Sequence, residues 1–290
     1  MSAPHAGGAA HVRERAFGAT VLAPVTLLYL AFLVAPIGYF LAVSLLTYSP
    51  EQMYVGEITL ENYRRLLFDG YYRGIIYDTL RIAAIVTLLS LAGGYAVAYF
   101  LVRQKSRWRG VLMFLVIAPL MTGVIVRTYG WIVLLGSDGL VNALLQWLGL
   151  TEGPVQLLDT EGAVIVALTH IMLPYMVFPI FSSLASQDPY LVPAAGTLGA
   201  GPVRAFLEVT LPLSRPGVVM GSALVFTLTS GSIVTPELLG GRDVTMMGQL
   251  IYQLVLSTFN WPLGAAVAAV LVICQFSVIT LYFRKTRRGY

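Results

Sequence analysis

Six apolar runs set the rhythm of the chain, at residues 17–46, 74–102, 111–135, 163–184, 218–235 and 263–283. A helix of roughly 17–25 apolar residues covers the ~30 Å of bilayer hydrocarbon, so each run predicts one membrane span. Pro24 and Pro36 are placed to bend the first. The polar stretches between the runs differ in kind. Residues 48–73 carry Glu51, Glu57, Glu61 and Asp69, and within them TLENYRRLLF predicts a short interfacial helix. Thr59 is its predicted cap, with Leu60, Tyr63, Leu66 and Leu67 on one face. The third run opens into GSDGLVNALLQWLGLTEGPVQLLDTEG, a polar loop holding one short apolar helix. The fifth leads into PELLGGRDVTMMGQLIYQLVLSTFNWP, half polar and half apolar, which predicts a re-entrant or interfacial helix on the outer side.

Composition turns this pattern into a class. A mean hydropathy of +0.78 with 57% apolar and 11% charged residues excludes a soluble domain. At 290 residues the chain holds one membrane domain and no sizeable soluble module. The net charge of +4 does not indicate nucleic acid, because the bases cluster at the ends of apolar runs. Arg103, Lys105, Arg107 and Arg109 form one short basic loop, Arg284, Lys285, Arg287 and Arg288 the terminus, and Arg13 and Arg15 precede the first run. The positive-inside bias puts all three on the cytoplasmic side, which six spans allow and an odd number would not. The expected division is a cytoplasmic tail over 1–16, a transmembrane domain over 17–283 and a cytoplasmic tail over 284–290, with both termini inside. The run from 17 is too long for a signal-peptide core and lacks a small-residue cleavage site, so it is expected to remain as an uncleaved span. No internal repeat of the kind found in many secondary transporters is visible.

The loop at 187–217, QDPYLVPAAGTLGAGPVRAFLEVTLPLSRPG, organises the rest. Pro193 suits the first position of a short helix, Ala194 and Ala195 propagate it, and Gly199–Gly201 turns it. A second piece follows with Val203, Phe206, Leu207 and Leu211 at helical spacing, and Pro212 is expected to stop it. Two short helices projecting from a membrane domain offer an apolar knob to a groove on a soluble partner.

Ala194-Ala195, three residues, Gly199, nine residues and Val209-Thr210-Leu211-Pro212 resemble the loop of permease subunits of binding-protein-dependent ABC importers. Pro193 stands where that motif usually has Glu and Val209 where it often has Ile, which removes one carboxylate but not the helix. ENYRRLL, IAPLMTGVIVRTYGWIVLLGSDGLVNALL, LPYMVFPIFSSL, VTPELLGG and NWPLGAAVA resemble the spermidine/putrescine-type permeases in particular, across nearly the whole chain. The resemblance implies an all-α integral membrane protein with the type I ABC importer permease fold, about six transmembrane helices and a cytoplasmic coupling loop. It assigns ATPase coupling to Pro193, Ala194, Ala195, Gly199, Phe206, Leu211 and Pro212. It further implies two ATPase subunits, a second homologous permease, a periplasmic substrate-binding protein and surrounding membrane lipid as partners, in a bacterial inner membrane. ATP and Mg²⁺ would be bound by the ATPase, with no cofactor in this chain, and the cargo would be a polyamine or another small organic solute or metal complex.

No catalytic constellation is present. Gly196, Gly199 and Gly201 lack the Lys-Ser/Thr that completes a P-loop, so ATP hydrolysis must come from another chain. His5, His11 and His170 with the single Cys274 do not make a credible metal site. The polar residues inside apolar runs are more informative, because each is costly in hydrocarbon unless it faces protein or water. Asp78 and Arg81, three apart, can pair on one helix face. Arg127 either snorkels beside Tyr129 and Trp131 or contacts solute, and His170 is placed for an interhelical hydrogen bond. Thr227, Thr229, Ser230, Ser232 and Thr235, with Gly231 among them, can wall a solute pathway or serve close helix packing. Glu237 can attract an amine at the mouth of that pathway or simply meet water. A secondary transporter half, a channel subunit or a membrane scaffold would also fit the hydropathy, but would leave the loop at 187–217 unexplained.

Overall fold

The computed structural model describes residues 7–103, 108–241 and 244–287, with side chains from 23 to 284 among these. Lys105 and Arg107 of the basic loop, His5, Arg242 and Arg288 lie outside the described residues, as do the side chains of His11, Arg13, Arg15, Lys285 and Arg287.

The chain opens with α1 (Gly7–Val43), which starts well before the apolar run because the preceding segment is rich in good helix formers. Two strands follow that the apolar pattern does not announce, β1 (Leu46–Ser49) and β2 (Met53–Ile58), paired antiparallel with Tyr48 opposite Tyr54. They are too short for a clear alternation, and only the aromatic and β-branched residues Thr47, Tyr48, Tyr54 and Val55 hint at them. The interfacial helix is present as α2 (Glu61–Phe68). Thr59, the expected cap, accepts from the Glu61 N–H at 3.1 Å but lies one residue ahead of the observed cap position, which Leu60 occupies. Of the expected face, Leu66 is buried and Tyr63 half-buried, while Leu60 and Leu67 are exposed. Asn62 holds the helix down by donating to the carbonyls of Ser44 and Leu46, both at 3.0 Å.

The second run is one helix, α3 (Gly70–Arg103). The third is two, α4 (Trp108–Met121) and α5 (Val124–Leu135). Pro119 and Gly123 break it: Thr122 folds back on the Pro119 carbonyl through its N–H at 3.3 Å and its hydroxyl at 2.8 Å, and Gly123 leaves in an extended conformation. The short helix of the polar loop is α6 (Leu140–Trp147), stapled by buried Asn142, which donates to Gly136 and Val155 carbonyls and accepts from the Val155 N–H. The fourth run is α7 (Glu161–Ala185), begun by a Thr160 side chain that accepts from the Ala163 N–H at 3.2 Å, with Glu161 at the positive end of the helix dipole.

The loop at 187–217 contains α8 (Leu191–Thr197), α9 (Pro202–Ala205), a π-helical turn over Phe206–Thr210 and α10 (Leu211–Leu213). The fifth run is α11 (Arg215–Ser230), ending short of 235 because Ser230 bonds back to the Phe226 and Thr227 carbonyls and Gly231 closes the turn. The expected re-entrant or interfacial region becomes α12 (Val234–Leu239) and α13 (Met247–Tyr252), with Met247 and Leu250 of α13 buried against α14 (Trp261–Arg287). Among the described residues, five helical stretches are long and apolar enough to cross a membrane, and six when the bent pair Pro202–Leu213 and Arg215–Ser230 counts as one span.

The core is where α3, α7 and α11 meet. Lipid tails are as apolar as leucine, so these helices associate by close packing at small residues rather than by excluding water. Met176 of α7 fills the space between Gly94 of α3 and Gly221 of α11; a Cβ at either glycine would come within 2.8 Å of its side chain. A second cluster joins α13 and α14 to Leu66 of α2 and Ile75 of α3. By contrast α1 is peripheral: none of the apolar window within Ala23–Val43 is buried.

Candidate functional site

Two regions carry the polar and apolar features that the sequence singles out, one at each end of the α7–α11 pair. At the first, α8 and α9 are joined by a turn whose hydrogen bonds explain the glycine. The Gly199 N–H donates to the Gly196 carbonyl and the Ala200 N–H to the Ala195 carbonyl, both at 3.0 Å. This double closure of a helix C-terminus needs a left-handed residue, and Gly199 has φ +83°. Pro193 sits at the third position of α8 rather than the first, which is equally harmless because the first four N–H groups of a helix have no intrahelical acceptor. Gly201 then precedes Pro202 at the first position of α9. Pro212 does not stop the second helix. The π turn just before it widens the backbone near Glu208, the residue whose carbonyl a proline ring at 212 would press upon, and the helical path reaches Leu213. The stop comes at Ser214, where the axis bends by 61° into α11.

The two helices are tied to the membrane domain on one side only. Phe206 packs edge-on against Tyr95 and Tyr99 of α3, with ring centroids 5.9 and 5.3 Å away. Gln187 donates to the Thr210 carbonyl at 3.2 Å, and Tyr95 and Ser214 hydroxyls meet at 2.9 Å. Phe206 therefore anchors the loop from beneath, and Leu211 and Pro212 are half-buried with it. Ala194 and Gly199 are exposed and Ala195 half-buried, while Pro193 is exposed at the rim of a cavity under α8. Tyr190, Leu191, Leu198, Val203 and Leu207 complete an exposed apolar crest there. Leu198 is the most exposed of them at 89%, and its signal in the sequence is only its place beside Gly199. A cavity of about 440 Å³ under α8 is lined by Tyr99, Arg103, Gln187, Asp188, Pro193 and Thr210, among others.

At the second region the hydroxyl row of the fifth run divides. Ser230 is fully buried and accepts from Gln275 Nε2 of α14 at 2.8 Å, and the Thr227 carbonyl accepts from the same group at 3.3 Å. Thr235 is buried with its hydroxyl 3.2 Å from that of Thr128 on α5, and the Thr229 hydroxyl is buried without a partner. Ser230 and Thr235 thus hold helices together in this conformation. Thr227 and Ser232 are half-buried and Gly231 and Glu237 exposed, so the open part of the row lies at the break between α11 and α12. Glu237 accepts from Gln253 Nε2 at 3.2 Å.

The charges within the runs keep the partners expected of Arg81 and His170 and gain further ones. Arg81 pairs with Glu161 at the start of α7 as its closest contact and with Asp78 at 3.5 Å, so the local pair becomes a clamp between α3 and α7. Arg127 is half-buried, and its guanidinium donates to the Ile171 carbonyl of α7, 3.4 Å away. His170 has the interhelical bond its sequence context predicts, accepting at Nδ1 from Trp131 Nε1 at 3.4 Å. Among the described residues no three His, Cys, Asp or Glu side chains gather as metal ligands.

Comparison with known proteins places this geometry. The family described as "Binding-protein-dependent transport system inner membrane component" matches residues 90–288. The spermidine/putrescine transport system permease protein PotB of Haemophilus influenzae is 35% identical over 256 residues, 88% of this chain and 89% of that protein. PotB of Escherichia coli K12 is 36% identical over 229 residues, 79% of this chain and 83% of that one. A solved bacterial ABC transporter involved in import of the acidic polysaccharide alginate shares the fold, with a TM-score of 0.72 at 17% identity over 96% of this chain and 97% of the other.

Proposed function

The chain belongs to the family of inner-membrane components of binding-protein-dependent transport systems, and from that premise we propose that it is the permease subunit of an ATP-driven importer of spermidine, putrescine or a related polyamine. The observation that carries the cargo is the identity with PotB over most of both chains. The observation that supports the machine is the exposed crest on α8–α10, anchored by Phe206 and left without a covering element. In this reading Pro193, Ala194, Ala195 and Gly199 present that crest to one ATPase subunit of a pair, while Phe206, Leu211 and Pro212 pass its motion to α3 and α11. ATP and Mg²⁺ belong to the ATPase, a second permease completes the passage, and a periplasmic binding protein delivers the cargo. Closure of the ATPase pair then biases a two-state membrane domain from one side and the loaded binding protein from the other.

Uptake of labelled spermidine by vesicles holding the full assembly tests the reading. Uptake should require ATP inside the side bearing the ATPase and should be competed by putrescine. Uptake that ignores ATP would instead make the chain part of a secondary transporter or channel, and ATP-dependent uptake that polyamines do not compete would move the cargo to another solute.

Orientation follows from the basic clusters. In a Cys274→Ser background, cysteines placed at Asp69 and Glu152 should react with an impermeant thiol reagent added outside intact cells, and one at Arg109 should not. Labelling at Arg109 from outside would invert the assignment of both termini to the cytoplasm.

Glu237 is the open carboxylate near the α11–α12 break, so Glu237→Gln should weaken uptake of the cation more than that of an uncharged analogue. The change should be modest, about 1 kcal/mol or less, because the group is exposed and screened. Equal kinetics for both solutes would take Glu237 out of the pathway.

A further inference from the structure

A cavity of about 470 Å³ separates α4 from α3 and α7, a size within the ~300–1,000 Å³ of small-molecule sites. Its walls include Phe100 of α3, Leu112, Leu115 and Val116 of α4, and Leu173 and Pro174 of α7. They are apolar except at His170, and no carboxylate is among them. No residue of α4 is buried, so this helix stands off from the domain it belongs to. One end of the cavity is charged. Arg109, Leu112, Val116 and Pro119 recur at i, i+3, i+7 and i+10, which puts the arginine on the face of α4 that lines the space. Its guanidinium lies over the Phe181 ring of α7, 5.3 Å from the centroid, and so spans the same two helices. Among the described residues the ion pairs are made by Arg64, Arg65, Arg81 and Arg204, and none by Arg109. The other end is closed. Pro119 and His170 line it, and beyond them Trp131 donates to His170 and Arg127 to the Ile171 carbonyl, both at 3.4 Å, which draws α5 onto α7. From Arg109 to Pro119 a helix rises ~15 Å, half of the ~30 Å of hydrocarbon.

We infer that this cavity holds an acyl chain of an anionic phospholipid from the leaflet on the basic-loop side, with the lipid phosphate on Arg109. That leaflet is the cytoplasmic one in the orientation proposed above. Depth and charge select the occupant together. A lipid tail of one leaflet reaches as far as Pro119, where the space ends. A transmembrane helix is ~10 Å across with its side chains, and a ~15 Å length of it fills more than about 1,000 Å³, well beyond this cavity. A polyamine meets a fixed cation at the mouth and no acid inside. Phosphate oxygens match the guanidinium fork bidentately, and basic sites between transmembrane helices on the cytoplasmic side suit anionic headgroups. The bound tail supplies the packing that α4 lacks, so the position of α4 beside α3 and α7 depends on it.

The test uses the full chain in phosphatidylcholine nanodiscs holding a small fraction of phosphatidylglycerol with a photo-reactive diazirine in one acyl chain. Light should attach the probe to the peptides of α3, α4 and α7 that line the cavity. Arg109→Gln should lower that adduct about fivefold, the effect of one basic residue at an anionic headgroup, and Arg109→Lys should keep most of it. Arg109 is exposed, so neither change disturbs the core. Ala96→Trp, which fills the cavity from an exposed position on α3, should remove the adduct while leaving the arginine in place. A phosphatidylcholine probe with the same tail should label these peptides no better than phosphatidylglycerol labels Arg109→Gln. Equal labelling by the two lipids, an unchanged adduct in Arg109→Gln or Ala96→Trp, or an adduct confined to other helices would overturn the inference. So would an adduct formed by the isolated chain but lost in the full importer, since a partner subunit would then occupy the space.

Discussion

Gly199→Val is expected to leave the chain in the membrane and to uncouple it from the ATPase. The reason is conformational rather than steric. A Cβ at 199 would meet nothing within 4 Å, but φ there is +83°, a region that a β-branched residue essentially never adopts. Forcing valine into it costs on the order of 1–3 kcal/mol. The paired helices are short, seven residues for α8 and four for α9, and are tied down mainly through Phe206 and Gln187, so the turn should yield before the membrane core does. Once it opens, the exposed Leu198 and Val203 on either side of the turn lose their fixed relation, and the crest they belong to is lost. The measurements are ATPase co-purification and hydrolysis stimulated by loaded binding protein, both expected to fall at least about tenfold, the equivalent of 1.4 kcal/mol. Gly199→Asn is the control, because asparagine tolerates left-handed backbone and should retain most of the coupling. Parental activity in Gly199→Val would mean that this loop is not the coupling element.

Gly217→Leu should act at the opposite level and prevent the domain from packing at all. Gly217 begins the contact of α11 with α7, where an added Cβ would press on the Pro179 carbonyl, lie 2.7 Å from Ser183 Cβ and 2.9 Å from Ile180 Cα. Two of these are main-chain atoms, so nothing nearby can swing aside. Overpacking costs about 1–3 kcal/mol when a core can adjust, and this contact has little room to do so. The expected result is a sharp fall in monodisperse protein recovered in mild detergent, with a lower unfolding temperature in what survives. Gly221→Ala should be milder, because the obstruction there is the Met176 sulfur at 2.8 Å, the flexible end of a side chain. Equal recovery of Gly217→Leu and the parent would show that α7 and α11 do not need this close approach.

The sequence by itself determined the class of protein, its division into apolar helical runs and the helix-turn-helix at 187–217, because each rests on a local property. Hydrophobic length decides whether a segment can cross a bilayer, and the helix-turn-helix at 187–217 is written in its own prolines and glycines. Gly199 was legible for the same reason: a left-handed helix end is a property of one residue and its neighbours. Tertiary structure decided what local chemistry leaves open. Along the chain Ser230 and Thr235 fit a pathway wall or helix packing equally, and only the fold shows that they bond Gln275 and Thr128, residues 45 and 107 positions away. Phe206 belongs to an apolar stripe that the sequence offers outward, and only the arrival of Tyr95 and Tyr99 turns it inward. Arg81 keeps its local pair with Asp78 and adds Glu161, 80 positions on. In hydrocarbon every polar group must find a partner, and which partner it finds depends on how distant helices are placed beside it.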